Sequence, residues 1–164
     1  VKSLAAIEIE RYDWDSMPVM GDRSEQVPLN LFGLIAADSE SAVEEFYWGL
    51  ENVVVVQGQL FEAAPAVVSV LLASLVGELS PSARRMILEL LFQLVSGESD
   101  EEAIERGNPE LGAACREQAR LGISVLYSEL YGHFSVAARD ILEVVEVDKG
   151  RLFHHVERRG KVKK

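Results

Sequence analysis

Hydrophobic positions gather most densely between Val53 and Val76, in the run "VVVVQGQLFEAAPAVVSVLLASLV", and elsewhere they recur at a helical rather than an alternating spacing. The run is interrupted by Gln57, Gly58, Gln59 and Glu62, so its unbroken part, Ala63 to Val76, has 14 residues. A bilayer span needs roughly 20. Pro65 sits near the front of this part, where a helix tolerates a missing N–H, and alanine, leucine and serine dilute the valines. A helix is therefore predicted. It has no polar face, since Ser69 and Ser74 can bond back to their own backbone, so it must be covered on most sides and is expected at the centre of the core. Val53 to Val56 have strand propensity, yet they follow an amphipathic helical pattern and lead into a turn at Gly58, and they are read as a helix end.

The same spacing, punctuated by Pro, Gly and Ser, predicts the other helices. Pro28 opens "PLNLFGLIAA", Ser39 or Ser41 caps "AVEEFYWGLENV", and Ser80 with Pro81 opens "PSARRMILELLFQLV", which stops at Gly97. Asn108 with Pro109 opens "PELGAACREQARLGISVLYSELY", and Ser135 opens "SVAARDILEVVEV". The expectation is an all-α domain over residues 24–148, made of six helices in three consecutive antiparallel pairs. Residues 1–23 are set apart as an N-terminal segment, in which "LAAIEIERY" is the one weak strand pattern.

A faint repeat supports the pairing. Ala83, Arg85 and "ILELL" (87–91) align with Ala137, Arg139 and "ILEVV" (141–145) at an offset of 54, and Val43, Glu45 and Leu50 align with Ala83, Arg85 and Leu90 at an offset of 40. The shorter offset suits a two-helix repeat. The longer one is attributed to an acidic insertion, "SGESDEEAIERGN" (96–108), expected to be a mobile loop because a run of like charges with Gly and Ser buries little. One helix pair cannot bury its apolar face alone, so stacked pairs imply an α-solenoid. Trp14, Val27-Pro28, "VQGQLFEAAPAVVSVL" (56–71) and "ARRMILELL" (83–91) together make the chain resemble the bacterial HEAT-like repeat proteins, over roughly residues 12 to 146. The resemblance implies a short α-α superhelix that serves as a binding scaffold. Some such proteins are immunity proteins that neutralise a cognate toxin, and the analogy extends to this chain as an expectation.

Composition fits one soluble domain, and the single Cys115, with no leader or membrane span read in the sequence, points to a cytoplasmic setting. Charge adds more. Of the net −11, residues 149–164 contribute +6, which leaves −17 on the rest, and residues 24–83 contain eight Asp or Glu and no Lys or Arg. An acidic body repels phosphate backbones, so a basic protein is the expected partner and nucleic acid is not. The basic end is read as a tail.

On "AVEEFYWGLENV" a 3.6-residue period puts Ala42, Phe46, Leu50 and Val53 inward, which leaves Glu44, Trp48 and Glu51 outward with Tyr47 flanking. Trp and Tyr anchor interfaces, and carboxylates steer a cationic partner. Partner contact is assigned to Glu44, Tyr47, Trp48 and Glu51, with Glu98, Asp100, Glu101 and Glu102 of the insertion assisting the encounter. The competing role for Trp48 is packing in a seam between repeats. No catalytic residues, cofactor or metal ligands are assigned, because His133, His154 and His155 have no metal spacing, Cys115 lies on a leucine and alanine face, and adjacent carboxylates point about 100° apart. Arg85 with Glu89, and Arg139 with Glu143, are read as i, i+4 ion pairs. The chain is expected to be a non-enzymatic binder. An immunity protein for a basic toxin, such as a nuclease by analogy, is the first expectation, and an adaptor subunit the second.

Overall fold

The computed structural model describes residues 2–162 and is all-α apart from a three-stranded ribbon of two-residue strands. Its helices are α1 (Leu4–Glu10), α2 (Gln26–Ala36), α3 (Glu40–Val54), α4 (Ala64–Leu75), α5 (Pro81–Ser96), α6 (Glu101–Glu105), α7 (Leu111–Leu121), α8 (Ile123–Leu130), α9 (Ser135–Val145) and α10 (Lys149–Val162). The strands are β1 (Val55–Val56), β2 (Gln59–Leu60) and β3 (Glu98–Ser99). Three helical hairpins, α2/α3, α4/α5 and α8/α9, follow one another along the chain. Second helices of successive hairpins pack side by side, α3 on α5 and α5 on α9, while α1, α4 and α7 form the opposite layer.

The capping chemistry explains where helices start. Ser39 Oγ accepts from the Ala42 N–H, and Ser80 Oγ accepts from the Ala83 N–H at 3.1 Å while donating to the Ala37 carbonyl at 2.7 Å, which ties the α4–α5 link to the end of α2. Close approach of α2 and α3 depends on glycine at two places. Phe46 lies where a Cβ of Gly33 would be, and Asn30 lies where a Cβ of Gly49 would be and donates to the Gly49 carbonyl at 3.2 Å. These two contacts also set an antiparallel register for the pair.

α4 is the predicted central helix, and each of its residues except Pro65 is buried, with both serines bonded back to carbonyls three residues earlier. Arg84 closes its C-terminal end, donating to the Leu75 and Gly77 carbonyls and pairing with the buried Glu129 of α8. Five expectations change. Val53 and Val54 end α3, but Val55 and Val56 leave it to pair antiparallel with Leu60 and Gln59, around a turn in which Gln57 and Gly58 both have positive φ, 50° and 79°. The single helix expected from Pro109 to Tyr131 is two, because Gly122 takes a non-helical backbone against Leu72 of α4.

The segment 96–108 is not a loop. β3 runs parallel to β2, the Asp100 N–H donates to the Leu60 carbonyl at 2.9 Å, Asp100 caps α6, and Ala103 is fully buried. Nor is the basic end a tail: residues 149–162 form α10, which rests Leu152 and Val156 on the core, while Lys163 and Lys164 lie outside the described residues. At the other end, the boundary drawn at residue 23 has no structural counterpart. "LAAIEIE" is helix α1 packed on α4, Trp14 is buried with its Nε1–H donating to the Ile9 carbonyl, and the Met20 N–H donates to the Val53 carbonyl.

Candidate partner-binding surface

α3 buries Val43, Tyr47, Leu50, Val53 and Val54, so its inward stripe is turned by about one residue from the one expected from sequence. Tyr47 therefore leaves the candidate surface and joins the core beside Glu51, Glu89 and Gln93, where burial first and then the two carboxylates hold its phenol well above the ordinary range. Trp48 does the opposite. It is 54% exposed, so it fills no seam between repeats, and its ring meets Tyr47 edge-on at 5.4 Å between centroids. Glu44 is exposed and Glu51 half-buried on the same helix.

The second acidic group sits on the other side of the ribbon, because β1 leaves α3 directly and β3 is the far strand of the order β1-β2-β3. Its residues are not equivalent. Glu98 pairs with Arg116 at 3.2 Å, Asp100 spends its carboxylate on the Glu102 N–H, and Glu102 lies 3.8 Å from Arg106, whose guanidinium forks onto Glu62 at 2.7 and 2.9 Å. Glu101 and Glu105 are exposed and make no ion pair among the described residues. Of the four insertion residues assigned from sequence, Asp100 and Glu98 thus also hold the local fold.

Sequence reasoning missed a groove on the neighbouring helices α5 and α9. Between those helices lies a groove of about 460 Å³, with Phe92, Phe134, Val136 and Ala137 on its walls and Arg85, Glu89 and Asp140 at its polar positions. The signal was present: Phe92 lies off the buried stripe of Ile87, Leu88, Leu91 and Leu94, as Trp48 lies off the stripe of α3. Arg85 is not bonded to Glu89, whereas Arg139 and Glu143 do pair at 3.0 Å.

Cys115 is fully buried, and burial pushes its thiol up to about 12, so it presents no thiolate. Among the described residues no three His, Cys, Asp or Glu side chains gather as metal ligands, and no helix is long and apolar enough to cross a membrane. No family model, curated protein or solved structure matches the chain.

Proposed function

We propose that this chain is a non-enzymatic, HEAT-like protein-binding module that receives a cationic protein on the α3 side of its second-helix layer. The observation that carries this reading is Trp48, more than half exposed beside Glu44 and Glu51 within a 60-residue stretch, 24–83, that has no Lys or Arg. Trp is the residue type that anchors interfaces, and the surrounding carboxylates would raise the encounter rate of a basic partner and repel an acidic one. Phe92 and the α5–α9 groove would extend the contact.

In its narrower form, the partner is a basic toxin domain and the chain is its cytoplasmic immunity protein. Carboxylates of α3 and α6 would occupy a cationic site that otherwise holds phosphates, and Trp48 would supply desolvated area. A second reading, an adaptor joining two partners, is favoured by a further groove of about 630 Å³ between α5 and α8, which adjoins the first at His133 and Phe134 and has Leu79, Pro81 and the Arg84–Glu129 pair in its lining.

Capture from native cell extract with wild type and Trp48→Ala tests both. The expected result is a basic protein held by wild type and lost with the variant, by about 2 kcal/mol or more of binding, while the free variant unfolds within about 0.5 kcal/mol of wild type because the side chain is on the surface. Partners retained equally by both would remove Trp48 from the interface. Two different proteins held at once would favour the adaptor.

A further inference from the structure

Trp48 is one of several exposed apolar side chains on the first hairpin. α2 buries Val27, Leu31 and Leu34, yet Leu29 is 66% and Phe32 is 41% exposed on its opposite side. The Asn30–Gly49 and Gly33–Phe46 contacts place Phe32 level with Tyr47, and Leu29 level with Leu50. Leu29, Phe32 and Trp48 therefore stand at neighbouring heights on the exposed sides of the first hairpin. Glu25, Glu44 and Glu45 are exposed on the same two helices or next to them.

At the other end of the stack the chain carries the complement. α10 packs on α8, and its outward side presents Phe153, 65% exposed, with Lys149 four residues before it and Arg158 and Lys161 in the two turns after it. Among the described residues Arg158 and Lys161 make no ion pair with a carboxylate. The α2/α3 surface is predominantly carboxylate, with exposed Arg23 just before α2, and α10 is predominantly basic, with exposed Glu157 one turn after Phe153, so the two are opposite in net charge and alike in apolar character. They lie at opposite ends, so they cannot meet within one chain.

We infer that the exposed α2/α3 surface of one copy receives the outer side of α10 from a second copy, giving a head-to-tail association. An isologous pair of α2/α3 faces would set carboxylates against carboxylates, which charge disfavours. The contact rests on the same reading as the proposed function, that the Trp48 surface takes a cationic element, and it names a second copy as one such element. A foreign partner would have to displace it.

Sedimentation velocity of the full chain tests the inference, at about 0.01 M and about 1 M salt, where charges are felt over ~30 Å and ~3 Å. At low salt the average mass should rise with protein concentration beyond two chains, since a heterologous contact does not close at a dimer by itself, and at high salt it should fall to one chain. A head variant, Phe32→Ser with Trp48→Ser, and a tail variant, Phe153→Ser with Arg158→Glu and Lys161→Glu, should each be monomeric. Their equimolar mixture should form a dimer and nothing larger, because one intact head and one intact tail remain.

A mass of one chain up to about 1 mM at low salt, or association in either variant alone, would overturn the inference. Circular dichroism of each variant checks that the fold is kept, and all the substituted residues are exposed. The two proposals fail separately. A monomeric wild type that still captures a basic partner through Trp48 loses only the self-association, and a head-to-tail assembly that captures nothing loses only the foreign partner.

Discussion

Glu146 is buried just beyond α9, and its oxygens are met by the Tyr127 hydroxyl at 2.6 Å and the Asp148 N–H at 2.9 Å, with the Arg151 guanidinium 3.9 Å away. Burial alone would push this carboxyl up, but those partners outweigh it and hold it below the ordinary value of 4.5. Next to it His155 stacks on the Tyr127 ring at 4.3 Å and bonds Tyr131 at 2.9 Å, and burial first, then His154 and Arg151, lower its pKa from 6.5 against an opposing pull from Glu146. Both groups bind protons less readily folded than unfolded. Their contribution to stability is therefore complete above pH 6.5 and is lost as pH falls through each lowered value, His155 first and Glu146 later. Tyr127→Phe should cost about 1.5–3 kcal/mol at neutral pH, as loss of a hydrogen bond to a buried charge does. It should also flatten the acid limb, because without that donor the folded Glu146 carboxyl titrates closer to its unfolded value and less stability is lost on acidification. Urea titrations at a series of pH values check both, and an unchanged acid limb would mean that the Tyr127 bond contributes little.

At the scale of elements, the segment 96–108 separates what composition predicts from what packing enforces. Its carboxylates and glycines suggest a mobile loop, but the Glu98 N–H donates to Gly58, Ser99 Oγ accepts from the Leu111 N–H at 2.9 Å, and Ala103 is buried. The apolar content is only Ala103 and Ile104, too little for periodicity to register, and the ribbon pairs residues about 40 apart in sequence, which no local pattern reveals. Ala103→Asp should therefore lower the melting temperature by several degrees, at roughly 2–4 °C per kcal/mol for a chain of this size. Ile104→Asp, on the exposed neighbour, should leave it almost unchanged, and equal melting of both variants would return the segment to a loop. Most other elements were legible because their signals are local: Ser39 and Ser80 cap the helices they were expected to cap, and the run expected in the core, Ala63 to Val76, is buried from Ala66 to Leu75, while Val76 at its end is exposed. Tyr47 and Trp48 were read too much alike, since a helical wheel assigns neighbouring residues to a face only to within one position, and that position separates a core phenol from an exposed indole.

For the molecule as a whole, charge is distributed by segment: residues 24–83 have no cation, α6 adds further carboxylates, and α10 carries Lys149, Arg151, Arg158, Arg159 and Lys161. Part of that basic charge is structural. Arg159 donates to the Leu130 carbonyl at 2.8 Å and bonds Ser135, and Lys149 donates to the Glu143 carbonyl, so α10 is docked by polar contacts around its short apolar stripe. Carboxylates divide in the same way. Asp100 and Glu62 hold neighbours in place, whereas Glu44, Glu45, Glu101 and Glu105 are exposed and pair with no cation among the described residues. Replacing those four with Gln should leave the unfolding midpoint nearly unchanged, because exposed unpaired charges contribute little to the folded state and their mutual repulsion is relieved. The same change should slow association with the captured basic protein by about tenfold at low salt and flatten the dependence of that rate on salt, with a smaller effect on dissociation. Trp48→Ala should act chiefly on dissociation, since a desolvated ring is held only after docking. Stopped-flow association at several salt concentrations distinguishes them, and a fourfold Gln variant whose rate and salt dependence match wild type would show that the acidic half does not steer its partner.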